Sequence, residues 1–131
     1  MKRHRTRTRV RYSETDAAGI AHYASYFLYF EVGRIEMFRE LGLPYDFRLP
    51  IAETACRYRA SAKFDDLLEI HSFVAELRSK GFRIGCEVFR VGDGGDLELL
   101  VEGHTSMVTV DENGDPVRLP DHFRSAFGAG E

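Results

Sequence analysis

The sequence has no tryptophan, 2 cysteines and 4 prolines in 131 residues. Cys56 and Cys86 form no CxxC pair, which excludes a disulfide-stapled mini-domain or a cysteine-rich zinc module. In apolar-rich segments they read as small, reduced core residues. No stretch approaches the roughly 20 apolar residues of a membrane span, and no apolar segment of signal-peptide length follows the basic start, so the expected location is the cytoplasm. His4, His22, His71, His104 and His122 lie in different segments without HExxH or HxH spacing, so no metal is expected. Gly92 to Gly95 lacks the GK[ST] ending of a phosphate loop, no GxGxxG opens a helix, and Ser13, Ser25 and Ser61 sit in no GxSxG elbow.

What is present is an ordinary globular composition, 44% hydrophobic and 30% charged, of a length that suits one domain spanning residues 1 to 131. The net charge of −3 conceals an asymmetry. Lys2, Arg3, Arg5, Arg7, Arg9 and Arg11 precede the first acid, Glu14, and the remaining 12 basic residues face 21 acidic ones. The odd-numbered arginines share one face of an extended strand, with His4, Thr6, Thr8, Val10 and Tyr12 on the other. A row of like charges protects a sheet edge, so the segment reads as a solvated edge strand, with a phosphorylated ligand or nucleic acid as the alternatives. A nucleic-acid partner is not expected, since no helix-turn-helix or RNA-binding signature is evident.

After Tyr12 the small and polar run to Tyr23 reads as a loop feeding a helix. From about Ser25, Phe27, Leu28, Phe30, Ile35, Phe38 and Leu41 recur with a period of 3.6 until Gly42 and Pro44 end the helix. Roughly 50 to 62, 67 to 78, 81 to 91 and 97 to 110 read as strands, separated by short polar turns that imply antiparallel neighbours. The alternation of Phe82, Ile84, Cys86 and Val88 suggests a half-buried strand, and the denser apolar content of 97 to 110 a central one. One long helix after the first of five strands suggests an α+β fold, a five-stranded antiparallel sheet curved around one long helix. Gly33 would let a strand approach the helix closely.

The junction between first strand and helix carries the most chemistry. Asp16 lies in a small-residue loop that Gly19 allows to turn tightly, and the helix starts within a few residues of His22 and Tyr23. A carboxylate would therefore face the free N–H groups of a helix N-terminus, where an oxyanion can bind. Acyl transfer needs that pairing, although the same spacing also suits an Asp16 that only caps the helix or closes an Asx-turn.

The run Val10 to Tyr23, with Asp16-x-x-Gly19-Ile20, His22 and Tyr23, followed by Tyr26, Phe30, Glu31 and Arg34, resembles the 4-hydroxybenzoyl-CoA thioesterase branch of the hotdog-fold acyl-CoA thioesterases, including YbgC-like members. Later landmarks are Tyr58, Phe64-Asp65-Asp66, Gly103, Val110-Asp111 and Arg118-Leu119-Pro120, so the resemblance covers roughly residues 8 to 124. It implies hydrolysis of an acyl-CoA or aryl-CoA thioester, with Asp16 as nucleophile or general base and the backbone N–H of Tyr23 on the thioester carbonyl. His22 would orient water or contact the acyl group, or else cap the helix. Gly19, Tyr26 and Glu31 would shape or touch the acyl site, and Arg78, Lys80 and Arg83, with Arg118 as a further possibility, would meet the phosphates of coenzyme A. The resemblance implies a homodimer or homotetramer with sites at the subunit interface, and no cofactor beyond the coenzyme A carried by the substrate. The absence of tryptophan departs from the aromatic-substrate members. Two other readings are a hotdog hydratase or dehydratase and a non-catalytic acyl-binding hotdog protein.

Overall fold

A computed structural model describes residues 2–45 and 48–128. Strand β1 (His4–Arg9) is followed by a 3-10 turn (Tyr12–Glu14), helix α1 (Ser25–Glu40), strands β2 (Ile51–Tyr58), β3 (Leu67–Arg78), β4 (Gly81–Val91) and β5 (Leu97–Val108), and helix α2 (Asp121–Gly128). The strands form one antiparallel sheet in the order β1-β3-β4-β5-β2. Bulges in β2, β3 and at the β4/β5 pairing bend the sheet. The bent sheet curls around α1, the α+β arrangement expected from the element order.

β1 is an edge strand, and arginines on it and just before it reach acceptors across the sheet. Arg7 donates to Glu69 at 3.0 Å, Arg9 to the Asp65 carbonyl at 2.8 Å, and Arg3 to Glu87. His4 and Val10 turn inward as the alternation requires, but Tyr12 does not: the 3-10 turn ends the extended backbone first and leaves this ring 79% exposed.

The inner side of α1 is Tyr26, Tyr29, Phe30, Gly33, Arg34, Met37 and Phe38. This stripe is rotated from the expected one, because the helix is apolar on nearly every side: Leu28 is 48% exposed, and Phe27, Val32, Ile35 and Leu41 are half-buried. Gly33 sets the spacing between helix and sheet. A Cβ there would lie 2.5 Å from Ser72 Oγ and 2.7 Å from Ile70 Cγ2, both on β3. Gly33→Val is expected to cost about 2–3 kcal/mol through overpacking; a thermal midpoint at or above that of the wild type would contradict this role.

Two expectations need correction. The strand expected over 50 to 62 stops at Tyr58, because Arg59 and Ala60 both donate to the Leu100 carbonyl and the chain leaves the ladder. The strand expected to reach 110 ends at Val108, after which Val110 bridges to Pro116. β4 is the middle strand and keeps the expected alternation, with Phe82, Ile84, Cys86 and Val88 buried and the outward Arg83 and Glu87 half-buried and bonded to Ser106 and Arg3. Helix α2 is unforeseen in the spacing analysis. Its Phe123 and Phe127, one turn apart, pack on Phe38 with ring centroids 6.0 and 5.7 Å away.

Both cysteines are free thiols, as expected. They sit on β2 and β4 opposite the same residue of β5, Gly103, so two strand spacings separate them. That is about 9–10 Å, beyond disulfide reach. Burial pushes the Cys86 thiol up to about 12, which leaves it unsuited as a nucleophile. Among the described residues, no helix is long and apolar enough to cross a membrane.

Candidate active site

The chain leaving β1 is anchored by a buried carboxylate. Glu14 accepts from the Arg11 backbone N–H at 2.9 Å, from the Arg11 guanidinium at 2.7 and 2.8 Å, and from the Tyr29 hydroxyl at 3.1 Å. Burial alone would raise its pKa, but these donors outweigh burial and hold the carboxyl below its usual range. Burial, followed by the charge on Glu14, raises the Tyr29 phenol, so Tyr29 stays a donor. The Glu14 carbonyl in turn accepts from the His22 N–H at 2.9 Å and the Ser25 hydroxyl at 2.8 Å. One residue thus ties the strand end to the helix start.

Between these anchors the chain makes a small hairpin. The Asp16 N–H donates to the Ile20 carbonyl at 2.9 Å and the Gly19 N–H to the Asp16 carbonyl at 3.0 Å, with Gly19 at φ 80°, a conformation that favours glycine. The Ala21 N–H donates to the Ala62 carbonyl at 2.8 Å, and the Phe64 N–H to the Gly19 carbonyl at 3.1 Å. The loop is therefore sewn to the segment that follows β2. Asp16 closes an Asx-turn, its Oδ1 accepting from the Ala18 N–H at 2.8 Å, yet the carboxylate is exposed and keeps acceptor capacity.

Helix α1 begins at Ser25, and the residues before it carry the remaining polar groups. The His22 carbonyl accepts from the Ser25 N–H at 2.8 Å, and its Nδ1 accepts from the Ala24 N–H at 3.2 Å. Among the described residues, the Tyr23 N–H has no acceptor. The Tyr23 carbonyl accepts from the Tyr58 hydroxyl at 2.7 Å. Burial, with the neighbouring Cys56, pushes the Tyr58 phenol up to about 12, so it stays protonated and able to donate.

Asp16, His22, Tyr23, Tyr26 and Tyr58, together with Arg59 to Ser61, line a cavity of about 340 Å³. A residue with an exposed carboxylate and a residue whose backbone N–H has no acceptor among the described residues therefore line the same space, next to the positive end of a helix. Tyr26 forms its wall: the ring is buried and the hydroxyl accepts from the Ala62 N–H at 2.9 Å. Among the described residues, no group of three metal-ligating side chains occurs.

Of the residues singled out from the sequence, Asp16, His22, Tyr23 and Tyr26 come together here, and Gly19 shapes the loop that presents Asp16. Glu31 does not join them; it is exposed on the outer side of α1. Its motif partner Arg34 points the other way, buried, with donors on the Tyr45 hydroxyl at 3.2 Å and Thr105 Oγ1 at 3.1 Å. Arg78, Lys80 and Arg83 lie at the far end of the sheet, around the β3/β4 hairpin, about 35 Å along β3 from the Asp16 loop. Arg78 pairs with Glu76, and Arg83 with Ser106 and Glu53. Within one chain they cannot serve this cavity. Arg118 is exposed and is not among the lining residues. The sequence reading missed Glu14, whose burial no local pattern announces, and Arg59, which reaches the cavity because β2 ends one residue earlier.

A family model described as the thioesterase-like superfamily matches residues 10–127. An acyl-CoA thioesterase, YbgC, of Haemophilus influenzae is 34% identical over 127 residues, covering 91% of this chain and 90% of that protein. A solved structure of a gentisyl-coenzyme A thioesterase superposes with a TM-score of 0.83 at 27% identity, covering 95% of this chain and 99% of the other. A crystal structure of a 4-hydroxybenzoyl-CoA thioesterase variant complexed with 4-hydroxybenzoyl-CoA has a TM-score of 0.87 at 22% identity, covering 97% and 99%, a likeness of fold.

Proposed function

Because the chain belongs to the thioesterase-like superfamily and has its hotdog fold, we propose that it hydrolyses acyl-CoA or aryl-CoA thioesters at the Asp16 cavity. The observation that supports this reading is that Asp16, with its exposed carboxylate, and Tyr23, whose N–H has no acceptor among the described residues, line one cavity.

In the proposed reaction the thioester carbonyl oxygen lies on the Tyr23 N–H, which stabilises negative charge as the carbonyl carbon becomes tetrahedral. Asp16 acts in one of two ways. As nucleophile, its oxygen attacks the carbonyl carbon, the C–S bond breaks, and water then cleaves the mixed anhydride. As general base, it removes a proton from water while the water oxygen attacks. Both routes give a free acid and coenzyme A. The thiolate, with a pKa of roughly 8.5, departs without full protonation, so one carboxylate and one donor suffice and no cofactor is required.

A homodimer or homotetramer completes the proposal. β2 is a sheet edge exposed over most of its length, and the cavity opens at its end. A second copy beside β2 would deepen the pocket, and the Arg78, Lys80 and Arg83 hairpin of that copy would be the source of cations for the coenzyme A phosphates. The proposed location is the cytoplasm. Sedimentation is expected to give a dimer or tetramer mass; a strictly monomeric species with full activity would contradict the shared site. Incubation with short, medium and aryl acyl-CoAs is expected to release thiol and free acid in equal amounts from at least one of them. Hydration of an enoyl-CoA without thiol release would overturn the hydrolase reading. Oxygen-18 in Asp16 after a single turnover in labelled water would identify the anhydride route.

A further inference from the structure

The Tyr23–Ala24 peptide is hydrogen-bonded at both ends by side chains of the cavity. Its carbonyl accepts from the Tyr58 hydroxyl at 2.7 Å, and its N–H donates to His22 Nδ1 at 3.2 Å. A bond at the carbonyl polarises the amide and strengthens its N–H as a donor, so the two contacts reinforce each other. An N–H aimed at Nδ1 requires a lone pair there, and a neutral imidazole then carries its proton on Nε2. The ring is held further by packing on Tyr23, with centroids 4.3 Å apart, and by the bonds of the His22 backbone to Glu14 and Ser25. Accepting from the Ala24 N–H with Nδ1 thus leaves Nε2 without a protein partner among the described residues, on a side chain that lines the cavity together with Asp16.

We propose that Tyr58 and His22 act as a pair in the thioesterase reaction: Tyr58, through the Tyr23–Ala24 peptide, holds His22 as the Nε2–H tautomer, and that Nε2–H donates to the thioester oxygen beside the Tyr23 N–H. The proposal rests on the thioesterase reading above. His22 then touches substrate, and Tyr58 is a positioning residue. A neutral imidazole held at a helix start is suited to polarising a carbonyl in this way.

Nitrogen-15 NMR of the histidine rings in the free protein reads the tautomer without any substrate. The expected wild-type spectrum at neutral pH has His22 protonated on Nε2 and bare on Nδ1, and Tyr58→Phe raises the Nδ1–H fraction while lowering kcat with little change in KM. The second arm uses side-chain length. Glutamine carries an amide N–H2 where Nε2 sits, whereas asparagine reaches only the Nδ1 position. His22→Asn is expected to lose about 10²-fold in kcat, the effect of removing one oxyanion donor, and His22→Gln at least about tenfold less. A wild-type Nδ1–H tautomer, or equal kcat in the asparagine and glutamine variants, overturns the pair while leaving thioester hydrolysis standing. Failure of the wild type to hydrolyse any thioester overturns the function itself and the donor role with it.

Discussion

Replacing Glu14 with alanine is expected to remove about 2–4 kcal/mol of stability, because the buried Tyr29 hydroxyl and the Arg11 N–H lose their acceptor together. The Arg11 guanidinium, 75% exposed, contributes little to that figure, since water replaces the carboxylate around it. The thermal midpoint is expected to fall by about 10 °C. Activity should fall too at temperatures where the variant stays folded, because the Glu14 side chain, bonded to the Arg11 N–H and the Tyr29 hydroxyl, fixes the backbone whose carbonyl holds His22 and Ser25, and the Asp16 loop runs from Glu14 to His22. The stability effect has a direction in pH. The folded Glu14 carboxyl titrates below its ordinary value of 4.5, so its stabilisation is complete above the unfolded value and is lost as pH falls through the folded one. Urea midpoints of wild type and Glu14→Ala should therefore differ most near neutrality and converge below about pH 4. A gap that stays constant down to pH 3 would mean that the carboxylate charge is not what holds the loop. Glu69, lowered by its bond to His71 at 2.7 Å, contributes to acid lability in the same window.

Asp16→Asn has the opposite character, with little effect on the fold and a large one on rate. The amide oxygen of asparagine can still accept from the Ala18 N–H, so the Asx-turn and the loop survive. The variant loses the negative charge and, with it, the capacity to attack a carbonyl or to take a proton from water. The expected loss in kcat is about 10²–10⁴-fold, with a thermal midpoint close to that of the wild type. This separates chemistry from architecture: Glu14 is worth stability and Asp16 is worth rate, although they stand two residues apart.

The difference between those two residues also explains what could be read from the chain alone. Strand alternation in β1, the 3.6-residue period of α1 and the turn chemistry between strands are local signals, and they located six of the elements to within a few residues. The Asp16 to Tyr23 loop was legible because a carboxylate, a glycine and a helix start lie within a few positions of one another. Tyr58 and Arg59 reach the cavity only through the β2 pairing with β5, and which of them faces it depends on where β2 ends. Glu14 carries no local mark of burial, because its partner Tyr29 lies fifteen residues on, in the helix. The basic hairpin at Arg78 to Arg83 lies far from Asp16 along one chain, a separation that only the strand register reveals. α2 escaped notice because its apolar signal is two phenylalanines one turn apart, too short a window for periodicity to register.

The most direct measurement is thiol release from an acyl-CoA that the wild-type protein hydrolyses, followed side by side in wild type and Asp16→Asn at matched concentrations of folded protein. The expected result is steady release by the wild type and a rate at least about 10²-fold lower in the variant. Equal rates from the two proteins would contradict the assignment of Asp16, and no release by the wild type from any acyl-CoA or aryl-CoA would contradict the function itself.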